Sequence, residues 1–355
     1  MGFGSLGPGL LVFLTFILSI FVAVHQSMDA HFDFGIFYYA AHMVLDGSGH
    51  ALHSLDAQRL YQVRFHRPPD FLFLNPPFAL LPLLDLAKLP IAFAFALWTM
   101  LSLALLVSCL KVLEIETVVK LENWPLLLSL TFLPIIAAFL HGTFAFVVLS
   151  SFVLTCAQWR KGRLSLGRLI LAVATLKFQP VVGFVAILLG KRKWRELSGF
   201  ATGFTLVFAV SALLTGLSEL MEYPRLLHST EFSYASMLYA MADWHGLASL
   251  VTYSHLSAQV VLLLSLATVG WAARGWTDLD HGFALAVLAS MLVSYHFSPA
   301  DLTLCLVPFF LAIKTGLLPF QKAPAIVMLG LLLPLVPDRH GAPVRPSGPS
   351  ARNRT

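Results

Sequence analysis

From Ile91 to Leu110 the chain runs for twenty residues without a charged side chain. A helix rises 1.5 Å per residue, so a run of this length crosses the ~30 Å of hydrocarbon in a bilayer. Inside hydrocarbon the backbone must satisfy its own hydrogen bonds, which leaves helices and closed barrels as the spanning structures. Barrel strands alternate apolar and polar residues over ~10 positions, the opposite of an unbroken apolar run, so a barrel is excluded. Comparable runs at about 10–24, 124–140, 143–158, 198–216, 256–273, 281–295, 302–318 and 323–337 predict an all-α, polytopic transmembrane bundle of about 10–11 membrane helices. Composition agrees: 58% of the residues are hydrophobic and 12% charged, where a soluble domain carries about 25% charged. The first run lacks the basic flank and small-residue cleavage site of a secretory signal and reads as a retained helix.

Two basic clusters set the orientation. Arg160-Lys161-Gly162-Arg163 and Lys191-Arg192-Lys193-Trp194-Arg195 both belong on the cytoplasmic side, where short loops collect Lys and Arg. A single span through 164–190 would separate them, so the segment is expected to be a hairpin of two short helices with Lys177 near its turn. Residues 26–88 then form a first outer loop. Within it the proline-bounded run Pro76 to Leu86 is too short to cross and is expected to be a helix at the outer surface. A second outer loop, 217–246, carries Glu219, Glu222, Glu231 and Asp243. One membrane domain over 1–337 and a disordered basic tail over 338–355 complete the organisation. The net charge of +5 is largely this tail's: without its four arginines and Asp338, 19 basic residues face 17 acidic ones. No nucleic-acid partner is implied. Cys109, Cys156 and Cys305 each lie within an apolar run and read as small buried hydrophobes rather than a disulfide or zinc framework.

The chemistry-bearing residues are few. Asp33 precedes the aromatic helix start Phe34-Gly35-Ile36-Phe37-Tyr38-Tyr39; it reads either as a cap for a helix running to Leu45 or as a partly desolvated general base. His31, Asp33, His50 and His53 have weak metal-ligand spacing, and no metal site is expected from them. Asp278-Leu279-Asp280 reads as a solvated turn. Lys177 is an ammonium in an apolar hairpin, which points either to an anion such as phosphate or to snorkelling toward the interface. His296 and Asp301, in Ser294-Tyr295-His296-Phe297-Ser298-Pro299-Ala300-Asp301, are either a substrate-binding pair or a polar tie between helix ends. Tyr38, Tyr39 and Trp244 read as interfacial anchors, with sugar stacking as the second reading.

Three segments taken in order, Asp33 to Ala41, Asn75-Pro76-Pro77-Phe78-Ala79-Leu80-Leu81-Pro82, and Leu176-Lys177-Phe178-Gln179-Pro180 leading to Lys191–Arg195, resemble glycosyltransferase family 87. These are polytopic enzymes of the GT-C architecture, related to mycobacterial polyprenol-phosphate-mannose-dependent α-1,2-mannosyltransferases. The resemblance covers about residues 10–315. It implies a polyprenyl-phosphate-linked hexose donor, a hydroxyl acceptor on a glycolipid or cell-envelope glycan, inverting transfer on the outer face of the cell membrane, and no obligatory nucleotide or metal cofactor. On that pattern Asp33 is the base, and Lys177, His296, Asp301 and Tyr38 bind donor or substrate. The chain departs from the family's habit with Asn75 where Tyr is common before the two prolines, and with Gly142-Thr143 where Gly-Gln is common. A lipid or solute transporter, or a catalytically silent membrane protein, is the alternative class.

Overall fold

The computed structural model describes residues 33–65, 72–117, 132–231, 255–275, 278–292, 294 and 298–315. Among these residues every regular element is helical. In chain order the α-helices are α1 (Asp33–Leu45), α2 (Leu55–Arg64), α3 (Ile91–Thr117), α4 (Leu133–His141), α5 (Ala145–Arg160), α6 (Leu164–Val173), α7 (Gln179–Gly190), α8 (Trp194–Thr215), α9 (Leu217–Glu231), α10 (His255–Ala272), α11 (Leu279–Leu292) and α12 (Leu306–Lys314). Two stretches, Ile91–Leu113 of α3 and Trp194–Thr215 of α8, are long and apolar enough to cross a membrane; α5, α7 and α11 are shorter apolar helices. The runs expected at 10–24 and 323–337 and the tail 338–355 lie outside the described residues.

Helix ends follow local chemistry. Gly142 closes α4 with φ +63, and the Thr143 N–H reaches back to the Ala138 carbonyl at 3.2 Å, a left-handed cap that glycine adopts without Cβ strain. The segment 76–86 forms a 3-10 helix, Pro77–Leu83, followed by Leu86–Lys88, rather than one surface α-helix. Pro82 lacks the N–H that an α-helix needs, and the apolar side chains of Phe78, Ala79, Leu80 and Leu83 are buried rather than laid on a surface.

The segment 164–190 leaves and returns on the same end of the bundle, as the two basic clusters require. Arg160 donates to Asp280 Oδ1 from Nε at 2.8 Å and Nη2 at 2.6 Å, while Lys191 Nζ donates to the Ala273 carbonyl at 3.2 Å. Both partners flank the connection between α10 and α11, so the ends of α5 and α7 converge there. Lys314, closing α12, reaches Asp280 Oδ2 at 2.8 Å at the same end. Asp280 is thus clasped by two cations, which corrects its reading as part of a solvated turn; Asp278 alone is exposed, accepting from the His281 backbone N–H at 2.8 Å. The two legs of the hairpin have different neighbours, α6 against α5 and α8, α7 against α10 and α11. The α7–α10 contact is backbone to backbone: a Cβ on Gly190 would stand 1.8 Å from the Gly270 carbonyl oxygen.

Two apolar clusters make the interior. The larger joins α3 through α7 with α11 and α12 around Phe146, Leu149, Phe152 and Phe184. The second, at the end opposite the basic turns, packs α1 and the 3-10 helix Pro77–Leu83 onto the start of α3 through Phe34, Phe73, Phe95, Trp98 and Phe144.

Candidate active site

The end opposite the basic turns gathers most of the chemistry-bearing side chains. Lys177 occupies the last position of a 3-10 turn, Ala174–Lys177, between the two hairpin legs. Its Nζ lies 2.5 Å from Asp301 Oδ1 across 124 residues of sequence. Both are sheltered, Asp301 with 1% of its side chain exposed and Lys177 with 13%. Asp301 is fixed independently of the lysine. Its Oδ2 accepts the Ser298 backbone N–H at 2.8 Å and the Ser298 hydroxyl at 3.0 Å, a capping box that starts the 3-10 helix Pro299–Cys305. A carboxylate with these three donors offsets part of the desolvation cost that burying an ion pair carries. The lysine spends one N–H on Asp301 and has two more.

Asp33 is the first residue of α1 and half-buried. A carboxylate in a first turn is favoured by the helix dipole. The next residue, Phe34, is fully buried and pins α1 against Gly142, where a Cβ would stand 2.8 Å from the Phe34 Cβ. Trp98 Nε1 donates to the Gly142 carbonyl at 2.9 Å, completing that junction. The helix α1 packs on Pro77–Leu83, which packs in turn on Ala174–Lys177, so the three motifs separated in sequence are joined in one chain of contacts.

Tyr38 and Tyr39 are buried in the second cluster, which replaces the anchor reading for both. The Tyr38 hydroxyl donates to the Leu89 carbonyl at 2.6 Å, and since its one hydrogen is used there, His42 Nε2–H donates to its oxygen at 3.1 Å. Burial, with Tyr39 adding to it, pushes the Tyr38 phenol up to about 12. Burial also lowers the His42 imidazole, against the raising effect of Asp46. Tyr38 therefore ties α1 to the start of α3. His296 and Trp244 lie outside the described residues.

One node was not singled out from the sequence. His53 is buried with Nδ1 3.0 Å from the Glu219 carbonyl oxygen and 3.2 Å from Glu219 Oε2, and with Nε2 3.2 Å from the Asn75 carbonyl oxygen. Its backbone N–H donates to Glu219 Oε2 at 2.9 Å. Glu219, expected on the second outer loop, is 95% buried on α9 by this contact. The residues His53 and Glu219 are 166 apart, and no local spacing announces the pair. His50 Nδ1 faces the Gly47 carbonyl oxygen at 3.2 Å, so it does not join His53.

The model of glycosyltransferase family 87 matches residues 73–299. The chain belongs to glycosyltransferase family 87. It is accordingly a glycosyltransferase, moving a sugar from a donor to an acceptor, in a family of membrane proteins. The matched region includes Asn75-Pro76-Pro77, Lys177 and the hairpin, and it stops two residues before Asp301. Asp33 lies ahead of it. Neither the curated proteins nor the solved structures contain a match to this family 87 chain.

Proposed function

We propose that this family 87 enzyme is a multi-pass membrane hexosyltransferase that takes mannose from a polyprenyl-phosphate donor and places it on a hydroxyl of a glycolipid or cell-envelope glycan. The observation that carries the reading is the Lys177–Asp301 pair, set at the end of the bundle that receives α1 and Asp33. The opposite end holds Arg160, Arg163 and Lys191–Arg195, and positive-inside bias assigns that end to the cytoplasm. The Lys177 end then faces outward, and the helices α3, α5, α6, α7, α8, α10, α11 and α12 run between the two faces.

In the proposed reaction Lys177 keeps Asp301 on one N–H and offers the others to the donor phosphate, helped by His296. The Asp33 carboxylate takes the proton of the acceptor hydroxyl. The freed oxygen pair bonds to the anomeric carbon while the bond from that carbon to the phosphate oxygen breaks, and its electron pair leaves with polyprenyl phosphate. Attack opposite the leaving group inverts the anomeric centre. The leaving phosphate carries its own negative charge, so the protein contributes position and a fixed cation. Tyr38 acts here through the α1–α3 junction, holding Asp33's helix in place.

Purified full-length protein with polyprenyl-phosphate-mannose and a lipid-extract acceptor tests the chemistry. Asp33→Asn is expected to lower the transfer rate by about 10² or more, the usual range for a lost general base. Undiminished transfer by that variant would remove Asp33 from the mechanism. Orientation is read separately in intact cells: Lys88→Cys should label with an impermeant maleimide, and Lys193→Cys only after lysis.

A further inference from the structure

The basic end carries more positive charge than its own acids neutralise. Arg163, Arg192, Lys193, Arg195 and Arg274 are exposed there, on turns brought together by the bonds from Arg160 to Asp280, from Lys191 to Ala273 and from Arg274 Nε to the Gly190 carbonyl at 3.4 Å. Among the described residues the acids at this end are Asp278, Asp280, Glu196 and, on the last turn of α3, Glu114 and Glu116, fewer than the cations. Asp280 is taken by Arg160 and Lys314, Asp278 by His281, and Glu196 is half-buried in the first turn of α8. Arg163 and Lys193 stand at the N-cap positions of α6 and α8 with no side-chain cap, where the helix dipole opposes a cation. This placement is unfavourable for folding alone, so an anion outside the chain is the partner it suits.

The surroundings name the kind of anion. Trp194 and Trp271 are 62% and 69% exposed at the same level, and indole rings collect where headgroups meet hydrocarbon. The helix α8 runs from this rim as an apolar span in which 11% of the residues are buried, with Leu206, Val210 and Leu213 exposed. A rim of cations, two indoles beneath it and bare apolar helix below match one anionic phospholipid leaflet in the order headgroup, interface, acyl chain. We propose that this rim binds anionic phospholipid headgroups and holds the bundle at a fixed depth and tilt. The proposal rests on the multi-pass reading above and is independent of the sugar chemistry.

The full chain, purified in mild detergent, is titrated with phosphatidylglycerol or phosphatidylcholine while thermal unfolding is followed. Phosphatidylglycerol is expected to stabilise at a concentration at least ~10-fold below that needed for phosphatidylcholine, since several cations near one anionic surface attract it together. The variant Arg163→Gln/Arg192→Gln/Lys193→Gln/Arg195→Gln should lose that preference, and 1 M salt should erase it in the wild type by shortening screening to about 3 Å. Arg59→Gln/Lys88→Gln, which removes two exposed cations at the other end, should keep it. Equal response to both lipids, an unchanged rim variant, or equal loss in the Arg59/Lys88 variant each overturns the proposal. Sugar transfer is not the readout, so failure of the catalytic assignment leaves this result standing.

Discussion

Lys177 and Asp301 form an ion pair 2.5 Å long between the hairpin turn and the 3-10 helix that begins at Pro299. The carboxylate is positioned by Ser298, and the ammonium by the turn Ala174–Lys177. Each side therefore has a reason to be where it is without the other, and the pair joins two preformed ends rather than organising them.

Removing one partner is expected to leave a buried charge alone. Asp301→Leu and Lys177→Met should each destabilise the protein by about 3–5 kcal/mol, and the double variant by clearly less than the sum of the two. Thermal unfolding of the detergent-purified variants measures this. Additive losses would show that the two groups do not couple.

The pair His53–Glu219 ties α9 to the turn at Asn75 through three contacts on one imidazole. Glu219→Ala and His53→Ala are each expected to cost about 2–4 kcal/mol, with a coupling of roughly 0.5–3 kcal/mol in a double-mutant cycle. Limited proteolysis gives a second readout, with faster cleavage after α9 in both single variants.

Backbone contact between α7 and α10 leaves no room at Gly190. Gly190→Ala should force the helices apart at a cost of about 1–3 kcal/mol. Gly275→Ala, where nothing lies within 4 Å, should cost much less. Comparing the two midpoints separates steric exclusion from the general effect of replacing glycine.

Burial lowers the folded-state value of His42 below the ordinary 6.5. As pH falls, the unfolded chain takes up this proton first, so the stability that depends on neutral His42 is complete above 6.5. It is lost as pH drops from 6.5 through the lowered value. His42→Gln keeps an N–H for the Tyr38 oxygen without titrating, and should flatten the melting temperature across that window. An identical slope in wild type and variant would assign it to another group.

Much of the helical layout was readable from the chain. The run from Ile91 to Leu110 is part of Ile91–Thr117, the runs at 143–158 and 198–216 became α5 and α8, and α1 ends at Leu45 as expected. The hairpin at 164–190 was also legible, because positive charge at both ends left few ways to thread the chain. Length, apolarity and basic turns are local quantities, and hydrocarbon allows few structures that satisfy them. Lys177 and Asp301 were both picked out, yet nothing in the sequence pairs them, and Glu219 was placed on the second outer loop with nothing to show that it is a buried partner of His53.

The sequence by itself determined the class of fold and the residues too polar for where they sit, since solvation energy acts on each residue and each run separately. Which of those residues meet was decided by tertiary packing alone. The contacts between Lys177 and Asp301, between His53 and Glu219, and between Arg160 and Asp280 span 124, 166 and 120 residues. Their distances depend on how whole helices cross, and the crossings are set by shape at Gly142, Gly190 and Gly270 rather than by any property of the paired residues themselves.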